Sequence, residues 1–192
     1  MPIQVTITGV TPLLMHRFGP NATAELEEVT KTSKPKEHTP ERDAEDAAYR
    51  DADGTLYVPA EMIVGTIKGA ASAHKEKSSR RSMKNVAAGA ITVTPMRLTL
   101  SDKPGGKSLR EYKIDSRAVV IPATKGRVLR HRPILEAWSA TFVIDIDDEI
   151  IGAADVKRFL DEAGRRVGIG DFRPAKGGGF GKFIVTAWGD KI

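Results

Sequence analysis

The chain has no cysteine. That excludes a disulfide framework, a thiolate metal site and a cysteine nucleophile, and nothing calls for an oxidising compartment. Aromatic residues make up only 6% of the sequence. No apolar run approaches the roughly 18 residues needed to cross a bilayer. The N-terminal Met-Pro-Ile-Gln-Val-Thr-Ile-Thr alternates like a strand and lacks the basic and apolar regions of a signal peptide. A soluble, cytoplasmic protein without membrane contact is expected.

What is present is ordinary in amount and unusual in arrangement. The 192 residues, 40% hydrophobic and 29% charged, suffice for one domain with a sizeable core. The formal charge is +5, but its placement is uneven. Residues 61–84 and 101–132 hold 15 of the 30 Lys and Arg and only 5 of the 25 acids. Residues 21–55 hold 10 acids against 5 bases, and 145–162 hold 7 against 2. Basic segments of this kind attract a polyanion, and acidic ones can meet the basic segments of a second copy. The competing reading is that each run solvates a loop.

Hydrophobic period predicts the elements. Residues 2–10 read as a half-buried strand with Ile3, Val5 and Ile7 on one face. A polar insertion of about 19–53 carries a short helix at 41–50, and 55–58 form a short strand. Met62, Ile63, Ile67, Ala70, Ala71 and His74 have helical spacing, predicting a helix over 59–76 with Pro59 in its first turn. A basic loop, 75–84, follows. Residues 90–100 read as a strand that Pro95 demotes at its middle. Segments 111–121 and 127–134 predict a hairpin arm within a second insertion, 101–134. Trp138 to Ile146 alternate as a strand, 154–167 form a second amphipathic helix, and Phe183 to Trp188 close as a strand. The core order is strand, helix, strand, strand, helix, strand. It predicts an α+β, ferredoxin-like (RRM-like) antiparallel sheet with two helices on one face. The aromatic RNP motifs of RRM domains are absent, so base stacking on that sheet is not expected.

The sharpest local feature runs from Gly168 to Lys182, with six glycines between Gly168 and Gly181 and the cations Arg173, Lys176 and Lys182. Such a loop lets backbone N–H groups approach an anion. It is not a Walker A loop: Lys176 stands where the first glycine belongs, Phe183 where Ser or Thr belongs, and a strand follows. A dinucleotide fingerprint fails too, because Arg173 occupies the third glycine position. The alternative is a tight helix-to-strand connection packed by Phe172 and Phe180.

This glycine-rich loop, joining the last helix to the last strand, resembles the signature of the RAMP superfamily, the RRM-derived proteins of CRISPR systems. The segment Leu56-Tyr57-Val58-Pro59-Ala60-Glu61-Met62-Ile63-Val64-Gly65-Thr66-Ile67-Lys68-Gly69-Ala70 is similar to one in backbone subunits of CRISPR effector complexes, often written Ile-Pro-Gly-Ser-Ser-Leu-Lys-Gly. Here Ala60-Glu61 replaces Gly-Ser, and two extra residues precede Lys68-Gly69. The compact size also suits a phage-encoded relative. The resemblance implies a subunit that repeats head to tail along single-stranded RNA or DNA, alone or with related subunits of a ribonucleoprotein, with the arm as a thumb-like hairpin.

The nucleic-acid-binding candidates are therefore Lys68, Lys75, Lys77, Arg80, Arg81 and Lys84 around the first long helix. On the arm they are Lys113, Arg117, Lys125, Arg127, Arg130, His131 and Arg132. In the glycine-rich segment they are Gly170, Arg173, Lys176, Gly177, Gly178, Gly179 and Lys182. No metal or cofactor is expected. Among RAMP proteins some are RNA-processing nucleases that use a histidine base, which makes His16, just after the first strand, the catalytic candidate of an alternative, metal-independent endoribonuclease reading. Others cut target RNA with a loop Asp, and Asp43, Asp46 and Asp51 lie in a comparable loop. Asp145, Asp147 and Asp148 read either as ligands for a hard cation or as a solvated strand end. A third reading is a structural phage or assembly protein whose basic arm meets acidic partners.

Overall fold

The computed structural model describes residues 1–17, 39–76, 79–120 and 126–190. The first strand, β1 (Pro2–Gly9), lies between β8 (Ser139–Ile146) and β9 (Phe183–Asp190), antiparallel to both. Strands β4 (Ile91–Thr94) and β5 (Arg97–Ser101) both pair with β8, and the short β3 (Tyr57–Pro59) extends the sheet at β5. The order β9-β1-β8-β4/β5 is the ferredoxin-like arrangement, reached with every pairing antiparallel. The period-two alternation of β1 puts Ile3, Val5 and Ile7 inward, opposite Ile144, Phe142 and Ala140 of β8.

Helices α2 (Ala60–Ala71) and α4 (Ala153–Arg166) cover that face together. Ile63, Ile67, Ala70 and Ala71 of α2 join Val156, Phe159, Leu160 and Ala163 of α4 and the inward strand residues in one buried core. Gly69 sits where α2 meets α4's end: a β-carbon there would lie 3.0 Å from a Val167 methyl. His74 Nε2, just past the C-terminus of α2, lies 3.0 Å from the Glu162 carboxylate of α4. That contact is the first cause of Glu162's lowered pKa.

Four features differ from the sequence-based expectation. Helix α2 ends at Ala71 instead of running to 76, because Ser72 caps it with an Oγ–H donated to the Gly69 carbonyl. Pro59 precedes the helix as its N-cap instead of occupying its first turn. The chain then turns back, Lys75 bridges Ser82, and a short helix α3 (Lys84–Gly89) begins at the last residue of the expected basic loop and fills 85–89, where no element was expected. Only six residues long, with Ala87 alone buried, α3 leaves no period to read. Pro95, which lacks a ladder N–H, divides residues 90–100 into two strands rather than bending one.

A second sheet holds the arm. Strand β6 (Lys113–Val120) pairs antiparallel with β7 (Arg127–Leu135), and β2 (Leu13–Leu14) joins β7's far side. The end of the first insertion forms α1 (Pro40–Ala47), capped by Thr39 and packed on β7. Residues 19–38 of that insertion, and Lys77 and Lys125, lie outside the described residues.

Candidate nucleic-acid interface

The hairpin register decides which arm cations act together. Asp115 faces Arg132, Arg117 faces Arg130 and Val119 faces Val128. These six side chains share one face. His131, opposite Ser116, and Arg127, opposite Val120, belong to the other. The His131 ring accordingly lies 2.7 Å from Ser116 Oγ, away from Arg130 and Arg132.

The glycine-rich loop closes over the first face. Gly170 has φ +75°, and a β-carbon there would come 2.5 Å from the Leu14 carbonyl. The absence of one lets the Asp171 N–H reach Leu14 O at 2.8 Å and sets the Asp171 carboxylate beside β2's next residues. His16 Nδ1 lies 3.2 Å from Asp171 Oδ2, and Arg132 donates to the same oxygen at 2.5 Å. Arg132 is also 3.8 Å from Asp115, and Arg117 binds both Asp115 oxygens. The Arg117 guanidinium lies 4.8 Å over the Phe180 ring, which neighbours Phe172.

Between arm and loop lies a cleft of about 620 Å³ lined by His16, Arg117, Arg130, Arg132, Asp171, Phe172 and Lys176 among others. Its electrostatics follow from those pairs. The His16 contact first, then the Phe172 amide and Arg132, hold the Asp171 carboxyl far below the usual carboxylate range against the opposing effect of burial. Arg130 reaches His16 Nε2 at 3.2 Å. A guanidinium only donates, so Nε2 accepts, Nδ1 carries the proton toward Asp171, and the ring is neutral in this arrangement. Four cations (Arg117, Arg130, Arg132, Lys176) thus meet two carboxylates (Asp115, Asp171), leaving two positive charges in excess. Among the described residues no carboxylate pairs with Arg130 or Lys176, both exposed.

Two expectations are corrected. Arg132, taken from the sequence as a phosphate contact on the arm surface, is only 4% exposed and ties Asp115 to Asp171. The loop's amides largely face inward rather than toward an anion. Lys176 and Gly178 donate to Arg173 O, Gly177 to Pro174 O, and Gly181 to Pro12 O. Gly178 also fits against Phe172, whose carbonyl would be 1.7 Å from a β-carbon. Gly177 and Gly179 alone of the candidate glycines face open space. Lys182, half-buried, uses its N–H on Thr11 Oγ1.

The remaining cations separate. Lys113 pairs with Glu136 at 2.9 Å on the exposed arm. Arg173 donates to Gly170 O and faces a second cavity, across the loop, at the start of α2. Lys68, Lys75, Arg80, Arg81 and Lys84 lie toward or beyond the opposite end of α2, a helix about 18 Å long by its rise per residue. Asp145 pairs with the Met1 amine and Asp147 accepts the Glu149 amide. Among the described residues no group of three His, Asp or Glu is placed to hold a metal ion, and no helix is long and apolar enough to cross a membrane. Sequence reasoning missed Asp115 and Asp171; Asp171 lies inside the singled-out loop, but its partners depend on the hairpin register.

No protein-family model and no curated protein matches the chain. Among solved structures it superposes on a chain in the cryo-EM structure of the Type III-B Cmr-beta bound to cognate target RNA, with a TM-score of 0.55 and 14% identity. The match covers 98% of this chain and 59% of that one, so this chain spans less than two thirds of its length. At that identity the likeness is one of fold, and it agrees with the ferredoxin-like α+β architecture expected from the sequence.

Proposed function

We propose that the chain binds the backbone of single-stranded nucleic acid, RNA or DNA, in the cleft between the arm and the glycine-rich loop. The observation that carries this reading is the excess positive charge there, with Arg130 and Lys176 free of carboxylates among the described residues at a cleft that Arg132 also lines. Phe172, 42% exposed, offers one apolar face beside the charges. The fold shared with a chain of a structure bound to target RNA supports the same reading.

The subunit repeats head to tail along the strand, alone or beside related subunits. The arm carries exposed Leu129 and Arg127 on the face opposite Arg130, while a groove lined by Ile150, Ile151, Val86, Asp155 and Glu76 lies beyond α2. Such unlike surfaces make heterologous contacts, which propagate. The test is titration of nuclease-treated protein into labelled single-stranded and duplex oligonucleotides, with the mass of the complex measured against strand length. Preference for single strands and mass rising with length are expected. Equal affinity for duplex, or a mass independent of length, contradicts the reading.

One observation favours a second reading, the metal-independent endoribonuclease. His16 is oriented by Asp171 through Nδ1, leaving Nε2 toward Arg130 at the cleft. A strand phosphate that draws Arg130 away frees Nε2 to take a 2′-hydroxyl proton.

A further inference from the structure

The cavity on the other side of the glycine-rich loop, about 380 Å³, is not explained by backbone binding. Its size is at the lower end of small-ligand pockets, roughly 300–1,000 Å³. Glu61, Met62 and Gly65 lie along one strip of α2 on one wall, with Tyr49, Gly170 and Arg173 also lining it. Two features bear on what it holds, although Glu61 also suits the positive end of the α2 dipole. Gly65 interrupts a helix, where glycine is destabilising by roughly 0.5–1 kcal/mol relative to Ala. Yet nothing lies within 4 Å of the β-carbon it lacks, in contrast to Gly69, whose β-carbon would crowd Val167. The missing side chain leaves room in the cavity rather than in the core. Glu61, exposed at its mouth, forms no hydrogen bond or ion pair with any described residue. A carboxylate repels phosphate and only accepts hydrogen bonds, so a nucleic acid reaching it must present a donor.

Resting on the single-strand reading above, we infer that this cavity is a subsite for one unstacked nucleobase carrying an exocyclic amine, with the Glu61 carboxylate accepting from that amine. Tyr49 and Met62 supply apolar wall, and Arg173, whose Gly170 contact uses one guanidinium nitrogen, is placed for the adjoining phosphate. The loop residues Gly170 to Arg173 form the partition between this cavity and the cleft, so a strand crossing the loop passes from phosphate contacts to base contact. Cytosine and uracil separate the chemistry from size: they share a shape, but cytosine presents an N4 amine where uracil presents an O4 acceptor.

The experiment compares oligo(rC) and oligo(rU) of equal length at mildly alkaline pH, by fluorescence anisotropy, for the full chain and for Glu61→Gln and Gly65→Leu. The full chain binds oligo(rC) about tenfold more tightly. Glu61→Gln, which also donates, brings the two within about twofold. Gly65→Leu fills the cavity and abolishes the preference, while its unfolding temperature and salt dependence of binding stay at or above those of the parent. Equal binding of both oligomers by the full chain with normal salt dependence overturns the base subsite and leaves backbone binding standing, as does a preference that survives both substitutions. Binding of neither oligomer overturns both.

Discussion

Arg132 and Asp171 meet across the joint between the arm and the glycine-rich loop, at 2.5 Å, and His16 completes the contact from just after β2. Three segments far apart in sequence are thereby held together: residues 13–16, the β7 strand and the loop after α4. The joint is tied by these charges together with the Asp171 N–H donated to the Leu14 carbonyl.

Arg132 and Arg130, two residues apart on one face of β7, therefore differ in role. Arg132→Ala leaves Asp115 to Arg117 and Asp171 to His16 and the Phe172 amide and lowers stability by about 3 kcal/mol, the lower end for breaking a buried pair. Arg130→Ala, at an exposed position, changes it by no more than about 0.5 kcal/mol. Urea unfolding of the two variants measures the difference; equal midpoints contradict the joint.

Asp171 also gives a pH signature. Its carboxyl pKa is lowered in the folded chain, chiefly by His16, against an unfolded value of about 3.9. The stability it supplies is thus present above about pH 4 and is lost as pH falls below that through the folded value. Asp171→Asn lowers stability by about 2 kcal/mol at neutral pH, and the gap to the parent narrows as acid protonates the parent's carboxyl. Denaturation curves at neutral pH and below pH 4 check this; a gap that widens in acid contradicts it.

His16 separates binder from nuclease. If the His16–Asp171 pair acts as a base, His16→Ala abolishes RNA cleavage and leaves binding nearly unchanged, while DNA, lacking the 2′-hydroxyl, is not cut. Intact RNA after long incubation with the parent chain retires the nuclease reading.

The core was legible in the sequence because its signals are local. Alternation in β1 and β8, the helical periods of α2 and α4, and the order of elements lead to the observed sheet and helix layer. The cleft was legible only as a list of cations. Whether Arg132 meets solvent or Asp115 depends on hairpin register, and the long connection between β6 and β7 carries no two-residue turn signal that would fix it. Likewise, the glycines looked like an anion cradle, but several allow the loop to pack on itself and on Leu14. Close approach to protein and close approach to a ligand place the same demand on sequence.

Backbone binding in the cleft is tested most directly by the salt dependence of single-strand affinity in the double variant Arg130→Ala/Lys176→Ala, which retains the Arg132 joint. Each lost phosphate contact flattens the slope of log affinity against log salt by about 0.7, so the variant's slope is shallower by about 1.4, with affinity falling alike for every sequence. Unchanged affinity and slope, in a variant that unfolds at the parent's temperature, contradict the cleft as the backbone-binding surface.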